Sequence, residues 1–217
     1  MKTSLLAAAL LLSTPHTFAA DAIVPVKTNV PAGAYTLDRS HASLIFRVNH
    51  MGFSNYTARF KRFDAKLQLD PKNPSTAHVE ATIDVSSLET DFPTPEKVDF
   101  NAELLSDQWL NAGKFPQMTF KSTAVEMTGP DTARIKGELS LHGITKPLVL
   151  DAKFNGGYPG QQMDPNARIG FSARTGLKRS DFGVSAGIPA PGTTMGVSDA
   201  VEIIIEAEFT GPPLAKQ

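Results

Sequence analysis

The chain has 217 residues, 41% of them hydrophobic and 20% charged, with 21 Lys plus Arg against 22 Asp plus Glu. That balance supports a folded core and argues against nucleic acid as a partner, since no excess of positive charge is present to neutralise phosphates. The absence of cysteine excludes disulfides, thiolate metal sites, iron–sulfur clusters and cysteine nucleophiles, while the aromatic content is lopsided, with 13 Phe against 3 Tyr and 1 Trp.

In chain order, Lys2 followed by the apolar residues 5–12 and by Thr17-Phe18-Ala19 is the pattern of a cleaved secretory signal over residues 1–19. The apolar run is too short to span a bilayer, and no cysteine follows it for lipid attachment. Export to the periplasm is therefore expected. Removal of Lys2 would leave 20 positive against 22 negative residues. Residues 20–32 contain proline without periodicity and read as a flexible leader to a single domain at 33–211, with 212–217 as a disordered tail.

The recurring signal inside that domain is alternation. Ala42, Leu44, Phe46 and Val48 alternate with Ser43, Ile45, Arg47 and Asn49, which is the period of a strand with one apolar face. The pattern recurs at 65–69, 79–85, 118–120, 135–141, 148–154, 169–173 and 201–209, which makes eight strands. Between Phe60 and Phe63 the phase shifts by one residue, so Lys61-Arg62 reads as a bulge at a barrel corner. Asp70-Pro71-Lys72-Asn73-Pro74, Thr128-Gly129-Pro130-Asp131 and His142-Gly143-Ile144-Thr145 are short turn-forming links. Links of that length join antiparallel neighbours and forbid parallel crossovers.

Two stretches interrupt the series. Residues 96–110, after the third strand, carry Val98, Leu104, Leu105 and Trp109 at helical spacing and are expected to form one or two short helices over a barrel end. Residues 176–196 hold five Gly and two Pro with Phe182, Ile188 and Met195. They are too long for a hairpin loop and read as either a lid or a disordered excursion.

Little apparatus for chemistry is visible. There is no Gly-x-Ser-x-Gly and no Ser-x-x-Lys, and His41, His50, His78 and His142 share no metal-ligand spacing. No cofactor and no metal are expected. An outer-membrane barrel would need Tyr and Trp girdles at both interfaces, and four such residues cannot make two rings. An apolar-inside barrel remains. Small residues such as Ala42, Ala58, Ala65, Ala81, Ala124, Ala152, Ala173 and Ala207 fall in phase with large ones. Either they fit the taper of a solidly packed barrel, or they leave an axial tunnel lined by Phe and aliphatic residues.

Several motifs, taken in order, resemble the YceI family of bacterial periplasmic proteins from Tyr35 to Phe209. They are Asp38-Arg39-Ser40-His41-Ala42-Ser43-Leu44-Ile45-Phe46, His50-Met51-Gly52-Phe53, Phe60 with Phe63-Asp64, and Ser106-Asp107-Gln108-Trp109-Leu110-Asn111-Ala112. Phe115-Pro116, Thr119-Phe120 and Leu141-His142-Gly143-Ile144-Thr145-Lys146-Pro147 complete the set. The resemblance implies an all-β fold: an extended, lipocalin-like, eight-stranded antiparallel barrel with a long apolar channel for a polyisoprenoid, an isoprenoid quinone-like molecule or another long-tailed amphiphile. It brings no catalytic residues. The chain departs from the family at Asp91-Phe92-Pro93-Thr94-Pro95-Glu96, where members often carry a charged, histidine-containing helix.

The resulting expectation is a binder that holds a long-chain isoprenoid-type lipid and carries it through the periplasm, as monomer or homodimer, with transient membrane contact. Expected tail contacts are Phe46, Val48, Phe60, Phe63, Leu67, Ile83, Phe120, Leu139, Leu150, Phe171 and Ile203; expected head or mouth residues are Arg39, His50 and Arg174. The alternatives are an enzyme acting on an isoprenoid or quinone with His50 or Asp91 as acid or base, and an accessory that hands quinone to a membrane redox protein.

Overall fold

The computed structural model describes residues 29–213. The expected signal at 1–19, residues 20–28 of the leader and residues 214–217 of the tail lie outside the described residues. The elements are β1 (Gly33–His50), β2 (Ser54–Phe60), β3 (Phe63–Leu69), β4 (His78–Asp84), β5 (Leu88–Glu89), α1 (Phe100–Leu105), β6 (Gln117–Met127), β7 (Thr132–Leu141), β8 (Ile144–Tyr158), β9 (Asn166–Lys178) and β10 (Val197–Pro213). Short 3-10 turns occupy Pro74–Thr76, Val85–Ser87 and Arg179–Phe182.

Every pairing is antiparallel, the strands follow one another around the sheet, and β10 pairs back onto β1 to close it. Ten segments make eight barrel strands, because β2 with β3 and β4 with β5 are halves of single strands. The first half-pair explains the phase shift in the sequence. β2 pairs with the end of β1 (Ile45↔Arg59), whereas β3 pairs with its start (Gly33↔Leu69). The break at Lys61-Arg62 is sealed from the neighbouring strand: Lys61 N donates to Ser87 O (3.0 Å), Arg62 N to Ser87 Oγ (2.9 Å), and Asp84 N to Arg62 O (2.9 Å). The strand bend thus keeps its backbone groups paired although the ladder breaks there.

The hairpin turns are set by residues that tolerate positive φ. Met51 and Gly52 (φ 54° and 78°) turn β1 into β2, and His142 and Gly143 (φ 53° and 76°) turn β7 into β8. Two consecutive left-handed residues match the twist of the flanking strands. Along each strand the apolar set faces the axis. The core forms one cluster around Phe60, Phe120 and Leu139 and another around Tyr35, Ile169 and Phe209.

Several boundaries differ from expectation. The helical stretch is confined to α1, because Asp99 caps it by accepting from Ala102 N (2.9 Å) and the chain turns away again at Ser106. Val30, in the expected leader, is buried in the core, and Tyr35 donates its hydroxyl to Pro31 O (2.6 Å), tying that segment down. At the other terminus β10 continues through Pro213, two residues past the expected domain limit. Residues 179–196 form an ordered lid. His142 Nδ1 donates to Phe182 O (3.0 Å), Met51 N to Gly196 O (2.9 Å) and Val197 N to Gly187 O (2.8 Å).

Gly211 illustrates how tightly the far end is packed. A Cβ there would lie 2.1 Å from Cε1 of Tyr35, whose side chain is fully buried. Gly211→Ala should therefore destabilise the barrel by about 1–3 kcal/mol in urea unfolding. Gly113→Ala, with nothing within 4 Å of the new Cβ, should stay within about 0.5 kcal/mol of wild type.

Candidate functional site

The axis of the barrel is not filled. A cavity of about 810 Å³ runs through it from the lid end, at His50, Trp109 and Arg179, to the opposite end at Leu69, Pro74 and Thr132. The reason lies in the inward alanines. Ala65, Ala81, Ala152, Ala173 and Ala207 all line the cavity, and four of them face one another across a ladder: Ala65 pairs with Ala81, and Ala152 with Ala173. Where both partners in a pair stop at Cβ, the wall recedes and no side chain reaches the axis.

Phenylalanines supply much of the remaining wall. Phe154, Phe171 and Phe209 sit on successive strands with ring centroids 5.5 and 6.1 Å apart, and Phe46 lies 5.6 Å from Phe60. These tilted and edge-on contacts hold the rings against their neighbours along the wall. All eleven residues expected to contact a tail line this cavity: Phe46, Val48, Phe60, Phe63, Leu67, Ile83, Phe120, Leu139, Leu150, Phe171 and Ile203.

The three expected head or mouth residues divide. His50 lines the cavity at the lid end and is exposed. Arg39 and Arg174 do not line it. Arg174 lies between inward Ala173 and Thr175, so the strand period turns it outward, where it pairs with Glu202 (3.3 Å). Arg39 is exposed in the irregular middle of β1 and pairs with Asp64. Asp91, the alternative acid or base, is also outside the cavity lining, 68% exposed and paired with Arg59 (3.2 Å), so it does not converge with His50. Ala124 is exposed as well, because a register shift between Ser122 and Ala124 inverts the phase and brings Val125 to the cavity instead.

The two interrupting stretches close the lid end, as expected for 96–110, but the cavity-lining residues there are not among the expected contacts. Phe92, Phe100, Leu104, Trp109, Leu110, Val184 and Arg179 all line the cavity there. Arg179 is the one charged side chain buried among the described residues, at 5% exposure. Burial pushes its pKa below the ordinary arginine value. Its guanidinium lies 5.4 Å from the Trp109 ring centroid, a stacking arrangement favoured by the ring's electron-rich face.

With the geometry in view, the known proteins similar to this chain can be compared. The model of the YceI-like domain matches residues 35–209. The chain belongs to the YceI family. A protein named YceI from Salmonella arizonae is 38% identical over 182 residues, covering 82% of this chain and 86% of the relative. Among solved structures, BcnA from Burkholderia cenocepacia aligns with a TM-score of 0.65 at 23% identity, over 79% of this chain and 98% of that one. A polyisoprenoid binding domain from Saccharophagus degradans aligns with a TM-score of 0.58 at 17% identity, over 82% and 98% of the two chains. These two likenesses concern the fold.

Two polar clusters lie away from this YceI-type cavity. Ser122 Oγ is 3.0 Å from His78 Nδ1, and His78 Nε2 is 3.3 Å from Glu80 Oε1. The order imitates a hydrolase triad, yet Ser122 is buried, accepts from Val79 N (2.9 Å) and does not line the cavity. It braces the start of β4 against β6, next to the register shift between β6 and β7. The other cluster, Asp38, His41 and Glu208, brings one possible ligand atom from each residue within 4.8 Å of the others. Asp38 is already engaged, by His41 (3.1 Å), by the Ser40 amide (3.0 Å) and by Arg168.

The hydrogen bond from His41, together with those from Ser40 N and Arg168, lowers the Asp38 pKa from 3.8 to about 2. A carboxyl group that titrates lower in the folded than in the unfolded chain stabilises the fold above the unfolded value, and that contribution fades as pH falls through the folded value. Asp38→Asn should therefore weaken the barrel at neutral pH and show a shallower loss of stability than wild type between about pH 4 and 2. Parallel urea titrations across that range would measure the difference.

Proposed function

We propose that this protein binds one long-chain isoprenoid-type lipid in the barrel cavity and carries or buffers it across the periplasm. The observation that carries the reading is the continuous apolar cavity of about 810 Å³, a volume within the roughly 300–1,000 Å³ typical of small-molecule sites. The name of the Saccharophagus degradans neighbour, a polyisoprenoid binding domain on the same fold, supports the choice of ligand class. The apolar run at residues 5–12 and the absence of cysteine after it support export without a lipid anchor.

The driving force would be hydrophobic. At ~0.8 kcal/mol per buried CH₂ equivalent, each five-carbon isoprene unit contributes about 4 kcal/mol. Association costs roughly 4–15 kcal/mol in lost freedom, so a tail of several units binds without strong polar contacts. A cavity of this kind offers burial and orientation. Among the described residues no side-chain hydrogen bond joins a nucleophile to a base in the cavity lining, the pairing that acyl-transfer chemistry would need.

Organic extraction of freshly purified protein, followed by mass spectrometry, should recover a long-chain isoprenoid lipid close to one per chain. Ala81→Phe together with Ala173→Leu would fill the recesses in the wall and should abolish that recovery while leaving the circular dichroism spectrum unchanged. Protein that yields no lipid, and binds none when offered it, would contradict the proposal.

A further inference from the structure

The charged residues lining the cavity lie at opposite ends. Arg179 belongs to the lid, and Asp131 to the turn between β6 and β7 at the far end. Asp131 is partly exposed, whereas Arg179 is buried.

A guanidinium carries five N–H donors. In Arg179, Nε donates to Ser198 O (2.9 Å), Nη1 to Val184 O (3.0 Å) and Ala186 O (2.7 Å), and Nη2 to Val197 O (2.8 Å). One hydrogen of Nη2 is left without a carbonyl among the described residues. Carbonyl dipoles satisfy donors, yet they carry no net charge, so the positive charge is not cancelled by these bonds. Among the described residues Arg179 forms no ion pair within 4.0 Å. Asp199 is felt electrostatically, but its two carboxylate oxygens accept from Ser180 N and Ser180 Oγ, each at 2.8 Å. Trp109 covers one side of the guanidinium. The outcome is a cation held rigidly at one end of an apolar tunnel, with donor capacity in reserve and little water to screen it.

We infer that Arg179 receives the head of the ligand and that this head is an oxyanion, a phosphate monoester or a carboxylate, attached to the tail that the barrel holds. The inference rests on the lipid-binding reading above and adds the chemical class of the head and its direction. An oxyanion at Nη2 gains a charge-assisted hydrogen bond in a poorly screened environment. The same group at the far end would face the Asp131 carboxylate, so the charges at the two ends also orient the lipid, head to the lid and tail toward β6 and β7. A neutral alcohol accepts the hydrogen bond without the charge term.

A matched pair of probes isolates the head. Geranylgeranyl phosphate and geranylgeraniol share one tail, and the single tryptophan, Trp109, beside Arg179 reports occupancy of the lid end by fluorescence, with native mass spectrometry of the full chain as a second readout. Wild type should bind the phosphate at least about tenfold more tightly than the alcohol. In Arg179→Gln the preference should fall to within about threefold. Arg179 also pins the lid, so Arg179→Lys serves if the glutamine variant does not fold; it keeps the charge and should keep the preference. Equal wild-type affinities, a preference that survives Arg179→Gln, or its loss in folded Arg179→Lys would overturn the inference. Equal affinities would leave lipid binding itself intact, whereas failure to bind either probe would bring down the lipid-carrier reading. A purely structural role for Arg179 would change stability and leave the wild-type phosphate-to-alcohol ratio near one.

Discussion

Closure of β10 onto β1 is the constraint on which the rest of the molecule depends. The two strands pair from Thr36↔Thr210 to His50↔Val197, and with that ladder formed the sheet has no free edge to aggregate through or to flatten along. A closed ring of eight strands also fixes the radius of the interior, so that alternate residues must point at the axis whatever their size. Side chains of ordinary bulk would fill such an interior. Here the facing pairs Ala65↔Ala81 and Ala152↔Ala173 are too short to do so, and the space they leave joins into one cavity bounded by phenylalanine rings that pack against their neighbours on the wall.

The ends of the barrel give that cavity its polarity. At the lid end the chain abandons regular structure twice, at α1 with its following turns and at residues 179–196, and both excursions lean on the same guanidinium. Trp109 stacks on Arg179 from one side, and four carbonyls from residues 184–198 converge on it from the other. Among the described residues the four non-glycine residues with positive φ, Met51, Asp91, Asn111 and His142, lie in turns outside the strands. Such conformations cost energy and persist where surrounding contacts impose them. The lid is thus a built feature, held by the one charge that the fold buries among the described residues.

Much of this was legible in the amino-acid order, because a strand with one buried face writes itself as a period of two. The eight alternating segments correspond to the eight barrel strands, and the parity of the eleven residues expected to contact a tail matches their place in the cavity lining. The phase shift at Lys61-Arg62 marked a true break, since the bent strand has to change its partner register on β1 there. Other features had no such signature. The bulge after Ser122 turns Ala124 outward, and it exists only because of how β6 pairs with β7. Arg39 and Arg174 carry the charge that a head would need, but charge does not reveal which face a residue occupies. Arg179 stands out in the sequence only as half of a small basic pair, Lys178-Arg179, able to serve as counter-charge to an anionic head, and its burial is hidden for a different reason. Its burial is made acceptable by carbonyls that come together only after residues 183–198 have folded across the barrel end, and by a tryptophan seventy residues earlier in the chain.

The central claim is that the barrel encloses one elongated apolar ligand along its axis. A crystal structure of protein purified without added detergent tests it most directly. The account predicts continuous rod-like density from Trp109, past Ala81 and Ala173, toward Thr132, with the wall side chains standing back as they do here. An axis filled by collapsed Phe46, Phe60 and Phe120 side chains, or occupied by a chain of ordered waters, would contradict it.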